Sequence, residues 1–291
     1  MSYREDDNRS QAFASVQDSA LSHMPVGANF GLEASLGNLS GYATVNKFGQ
    51  ASDCDSGVLT DIWDGADGTT STDVWAPPNA ARIHTIVSAS DADSDTGGSN
   101  PQSTGARTMR VWYLADWDTA EATEDIILDG TAGVAMTNAA VMIHRMRCLT
   151  WGSGGVNAGI IKATAATDST VTAAILAGSN QTQMVIYGVP STQKLRVSQF
   201  CVEILKTAGG SVKASGEVLV MPAPATNAAT NTAWINKENF SVNEAVGPWK
   251  RPYPESAPKK FDGPCILKIQ VNADTNNSVC TASFDGTLVD N

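Results

Sequence analysis

From Tyr42 onward the chain alternates short runs of β-branched and apolar residues with glycine, aspartate and asparagine turn signals. That rhythm leaves few folds open to it. The strands predicted on this pattern are Arg82–Ser88, Thr108–Leu114, Thr123–Leu128, Ala140–Leu149, Gly159–Ala163 and Val171–Leu176. Five more follow at Gln183–Val189, Leu195–Leu205, Ser215–Val220, Ile266–Val271 and Ser278–Phe284. Between them lie Asp64 with Gly65, Asp67 with Gly68, Asp129 with Gly130, Gly178 to Asn180, Gly209 with Gly210, Asp262 with Gly263, and Asp285 with Gly286. These residue types supply the positive φ that tight turns demand. The spacing predicts an all-β protein: one large, jelly-roll-like antiparallel β-sandwich over residues 44–291.

Two stretches interrupt the pattern. Met221–Ala229 has the composition of a linker, and Trp249–Pro254 reads as a rigid aromatic loop. Both are taken as loops of one sandwich, because the sixty or so residues after position 230 show too few strands for a sheet core of their own. In Arg82–Val87 and Met142–Cys148 both faces are partly apolar, so these strands are expected to be covered on both sides.

Residues 1–43 have a different texture, rich in Ser, Asn, Gly and Asp with scattered large apolar side chains. A helix is predicted over Ser10–Ser22, with Ser10 as its cap, and Pro25, Gly27, Gly31 and Gly37 prevent regular structure beyond it. A segment too polar to fold alone, yet carrying Phe13, Val16, Leu21, Phe30 and Leu36, reads as an extended arm that attaches to a partner.

Charge narrows the function. The formal net charge of -11 repels phosphate backbones, and the largest basic cluster, Lys259 and Lys260 near Lys250 and Arg251, is small. Nucleic acid is therefore not expected as a partner. The polar N-terminus lacks the apolar stretch of a signal peptide, and no run approaches the ~20 apolar residues of a membrane-spanning helix, so no membrane partner is expected. Five cysteines, Cys54, Cys148, Cys201, Cys265 and Cys280, are widely spaced, without the paired spacing of a zinc or redox motif. They read as reduced thiols.

The chemistry-bearing residues form no catalytic pattern. His23, His84 and His144 are far apart, and His144 shares a strand face with Met142, Met146 and Cys148, which fits a satisfied semi-buried histidine. No cofactor motif is present, and Gly152–Gly155 lacks the lysine and helix of a phosphate cradle. Asp91, Asp93 and Asp95 have the alternate spacing of a Ca2+ loop, but Thr96 and Gln102 stand where an EF-hand needs Gly and Glu. The run reads as a solvated loop. Asp61, Asp64 and Asp67, with Glu121, Glu124 and Asp125, could supply the carboxylate pair of a glycosidase, but surface charge is the default. Of the seven tryptophans, Trp117, Trp151 and Trp249, with Tyr253, are the candidate ligand or partner surface.

The motifs Val45–Gly49, Asp61–Asp64, Trp75–Pro78, Thr104–Thr108 and Val111–Leu114 occur in that order along the chain. Glu124–Gly130, Ile143–Met146, Asn157–Gly159, Ala177–Thr182 and Ser283–Asn291 continue the series. On these the sequence resembles virion structural proteins of marine tailed phages, over residues 44–291. The resemblance implies a non-enzymatic head-decoration (cement) or fibre protein, often a homotrimer, bound to a major capsid or tail protein. It further implies assembly in the cytoplasm of a bacterial host and a place on the virion surface. The arm and the loop Ser94–Ser103 are particular to this sequence. The rival expectation is a fibre-type module that contacts a host receptor or glycan.

Overall fold

The computed structural model describes residues 33, 34, 36–67, 73–95, 100–206, 211–222, 224, 233–254 and 257–291. The predicted helix over 10–22 and Phe13, Val16, Leu21 and Phe30 lie outside them. All seventeen elements among the described residues are β-strands, and every strand pair is antiparallel, so the fold is all-β.

Four sheets, rather than the two of a single jelly roll, make up the body. Sheet I takes the strand at each end of the chain. β1 (Tyr42–Cys54) pairs with β17 (Ser278–Asp290), which pairs with β11 (Gln193–Lys206), and β11 carries β14 (Trp249–Pro252) and β15 (Lys259–Asp262) along its other edge. Sheet II is built on β16 (Cys265–Ala273), flanked by β12 (Lys213–Pro222) on one side and by β10 (Ile186–Val189) and β2 (Leu59–Asp61) on the other. The edge strand β13 (Ile235–Asn243) completes it beside β12. Sheets I and II face each other through aromatic contacts, Tyr187 against Phe284 at 6.4 Å and Phe240 stacked on Trp249 at 4.9 Å between centroids.

Between β2 and β10 the chain inserts a second pair of sheets. Sheet III has the order β6 (Val134–Ala135), β3 (His84–Ser88), β8 (Ile161–Ala165), β9 (Val171–Ile175). Sheet IV has the order β5 (Ala122–Ile127), β4 (Ala106–Leu114), β7 (Met142–Trp151), with β7 lying against β9 of sheet III. One continuous apolar core runs through all four sheets, including Val202, Ile269, Ile86 and Met109. The first half of β7 is covered on both faces, with Met142, Ile143 and His144 all buried.

Each of the eleven predicted strands meets an observed one, but three expectations change. Residues after 230 hold five strands, β13 to β17, and these complete sheets I and II instead of forming a separate core. Trp249–Pro252 is a strand, not a loop: Pro252 ends it at the sheet edge, where a missing N–H is tolerated. Asp285 and Gly286 do not turn the chain. Strand β17 continues through them, and a bulge between Val197 and Gln199 on β11 absorbs the extra residue.

Before β1, Gly37 and Asn38 donate to the carbonyls of Ala34 and Glu33 at 3.1 and 3.0 Å, and Ala34 and Leu39 are buried. Leu36 points away, 63% exposed.

Candidate functional site

The inserted sheets meet the outer pair at one polar seam. His144 on β7 reaches both sheets of the outer pair. Its Nε2 accepts the backbone N–H of Gly188 on β10 at 3.2 Å, and its main-chain carbonyl accepts the Nζ of Lys47 on β1 at 2.5 Å. Because Nε2 is an acceptor, the ring proton sits on Nδ1 and is donated to Glu121 Oε2 at 2.5 Å. Tyr187 stacks on the imidazole at 4.3 Å. The seam is tight: a side chain at Gly188 would meet Trp117, Met142 and His144 itself, which is why glycine stands there.

Lys47 shows how the sequence hides an inward position. On β1 the buried residues alternate as Val45, Lys47, Gly49 and Ala51, so the lysine occupies a core-facing slot. Burial, and then the Arg145 guanidinium, push its ammonium down to about 7, against a smaller opposing pull from Glu121. Burial raises the Glu121 carboxyl, but the hydrogen bond from His144, with the charges of Lys47 and Arg145, outweighs it and holds the group below its ordinary value. Burial, and then Glu121, push the Tyr187 phenol up.

Along this seam runs an open groove of about 540 Å3, lined by Asn46, Lys47, Trp112, Glu121, Arg145 and Gln193 among others. Trp112 and Arg145 are direct cross-strand partners on β4 and β7, which puts them side by side on one face of sheet IV. The Arg145 guanidinium also lies 5.9 Å over the Phe48 ring. Glu121 is the one carboxylate in the lining among the described residues, its side chain 38% exposed.

The residues singled out by sequence fall elsewhere. Trp117 is buried against Gly188 and offers no surface, because its place between sheets II and IV is core. Trp151 is 41% exposed at the end of β7 on sheet IV. Trp249 is stacked on Phe240, and Tyr253 follows β14 with its hydroxyl donated to Glu238 at 2.7 Å. Trp249 and Tyr253 sit together at β14 of sheet I, Trp151 is on sheet IV and Trp117 is buried, so the four do not form one surface.

The aspartate run is not a cation loop either. Asp93 is fully buried and its two oxygens accept the Ser88 hydroxyl and the backbone N–H groups of Ala106, Ala158 and Gly159 at 2.6–2.8 Å. Asp91 accepts from Thr131 and Asp95 from Gln102, so the three carboxylates do not converge. Among the described residues no group of three or more His, Cys, Asp or Glu side chains could hold a metal ion.

Two carboxylates expected at the surface are core residues. Asp61 on β2 accepts Lys268 Nζ at 2.6 Å, the Trp75 N–H at 2.7 Å and the Gln270 amide at 2.9 Å, and Trp234 lies 4.3 Å from Lys268 Nζ. Asp64 accepts the Gln183 N–H at 2.9 Å through Oδ2, while its buried Oδ1 has no partner. Little in the local sequence signals this, because every partner but Trp75 comes from a position more than a hundred residues away.

No family model matches this sequence, and no curated protein matches it. Weak similarity to solved structures reaches the T=1 particles derived from infectious bursal virus, at 9% identity over 86% of this chain and 78% of that one, with a TM-score of 0.12. Infectious bursal disease virus strain Gt is similar at 8% identity over 86% and 80% of the chains, with a TM-score of 0.11. Likeness at this level carries no argument about fold or function.

Proposed function

We propose that the chain is a non-enzymatic structural protein of a tailed-phage particle, with the segment before Tyr42 attaching it to the capsid or tail and the stacked β-sandwich body presented outward. The observation that carries the reading is the N-terminal edge. Strand β1 starts at Tyr42 opposite Val289, so the segment ahead of it leaves from the rim of sheet I beside the C-terminus, and Leu36 offers an exposed apolar side chain there. The ordered phage-type motifs point the same way. The groups that could serve catalysis at the seam are engaged: His144 Nε2 and the Lys47 ammonium join sheets, and His144 Nδ1 is held by Glu121.

In a homotrimer, three tethered segments multiply weak contacts into firm attachment. Removing residues 1–40 is expected to leave a folded β protein that no longer co-sediments with particles lacking the native chain. Particles that still take up the truncated protein refute the attachment role. A second reading, a fibre-type module contacting a host glycan, is favoured by the groove beside Trp112.

A further inference from the structure

We infer that the seam groove is a binding site for an uncharged hexose oligosaccharide, with Trp112 as its stacking platform and Arg145, Glu121, Asn46 and Gln193 as its hydrogen-bonding set. Four features carry this. The first is size: about 540 Å3 falls within the roughly 300–1,000 Å3 of small-ligand clefts, enough for two or three sugar rings. The second is chemistry. A pyranose presents an apolar face of C–H groups and a rim of hydroxyls that both donate and accept. One half-buried indole can take the face, and planar amide, carboxylate and guanidinium groups can take the rim.

The third feature is preorganisation. Trp112 is fixed in register against Arg145, Arg145 lies over Phe48, the Gln193 amide is held by Asp290 at 2.9 Å, and Asn46 donates to Asp285 at 2.5 Å. Glu121 is held through Oε2 by His144. A rigid wall loses little entropy on binding. The fourth is charge. Arg145 and Glu121 carry opposite charges within the groove, the Lys47 ammonium is buried and bound to the His144 carbonyl, and the chain as a whole carries -11, which repels acidic glycans. A single lining carboxylate fits binding without hydrolysis, which needs two.

The test titrates the full-length protein with a panel of neutral trisaccharides of glucose, mannose, galactose and N-acetylglucosamine, followed by ligand-observed NMR and tryptophan fluorescence. At least one is expected to bind in the millimolar range, and Trp112→Ala and Arg145→Gln are each expected to weaken it about tenfold or more. Arg145→Gln removes a surface guanidinium and spares the core, so it remains informative if Trp112→Ala lowers stability. Trp151→Ala, on an exposed side chain outside the groove, should leave affinity unchanged. No binding by any trisaccharide at about 10 mM overturns the inference, as does binding indifferent to both groove substitutions. Binding of glucuronate trisaccharides alone overturns the assignment of an uncharged ligand. The outcome is independent of particle attachment, since the groove and the N-terminal segment are tested by different variants.

Discussion

Replacing Asp64 by asparagine should stabilise this protein at neutral pH and leave it unchanged in acid. Asp64 is 1% exposed, and burial pushes its carboxyl up to about 8, against the hydrogen bond from the backbone of Gln183. In the unfolded chain the group returns to its ordinary value of 3.8. Between pH 4 and 8 the folded state therefore holds a proton that the unfolded state has released, and stability falls as pH rises through that window. Each pH unit removes about 1.4 kcal/mol, which accumulates to about 4 kcal/mol by pH 7. Asparagine keeps an acceptor for the Gln183 N–H and carries no charge, so it mimics the protonated acid. Urea denaturation of both proteins at pH 4, 5, 6, 7 and 8 separates this group from every other titration, because only the difference between the two curves is read. The difference should be near zero at pH 4 and grow with pH. A difference that is flat across the series, or an asparagine variant less stable at pH 8, refutes the argument.

Two further substitutions test the packing. Lys268→Met strands the Asp61 carboxylate in the core and should cost about 3–5 kcal/mol, whereas the double change Lys268→Met with Asp61→Leu should recover much of that loss; a thermal-melt double-mutant cycle showing additivity would contradict the pairing. Gly49→Ala places a methyl group 2.6–2.9 Å from main-chain atoms of Val185, Ile62 and Met184, so β1 must shift outward, and a loss of about 1–3 kcal/mol is expected from calorimetry.

What the sequence disclosed depended on how many core-facing positions each strand fills with large apolar residues. In β11, Leu195, Val197, Phe200, Val202 and Ile204 are all buried, and the run is unmistakable. In β1 the equivalent slots are Val45, Lys47, Gly49 and Ala51, so a thirteen-residue strand at the sheet rim shows almost no apolar period. Edge strand β13 (INKENFSVN) buries only Phe240 and Val242 and reads as polar loop for the same reason. The groove was hidden more deeply. The sequence places Trp112 in a strand and marks His144 as a satisfied histidine, but their meeting with Arg145, Glu121 and Lys47 depends on register and on the contact between two sheet pairs. Neither leaves a local signal. Asp93 illustrates the reverse: its spacing resembles a cation loop, and its oxygens are filled instead by protein donors that fix the Asp91–Asp95 turn to β4 and to the segment ahead of β8.

The topology also explains why polar residues concentrate at the seam. Strands β1 and β2 pair with β17 and β16 at the far end of the chain, so the outer sheets are built from strands that precede and follow the inserted unit of residues 84–175. Apolar packing between the two pairs supplies adhesion but tolerates sliding, since it has no direction. Hydrogen bonds from the Gly188 N–H to His144, from Lys47 to the His144 carbonyl and from His144 to Glu121 are directional and buried or half-buried, and a shift of one residue would leave donors and acceptors unpaired. The same bonds fix the walls of the groove, so the register that joins the sheets also sets the spacing between Trp112 and the polar groups across from it.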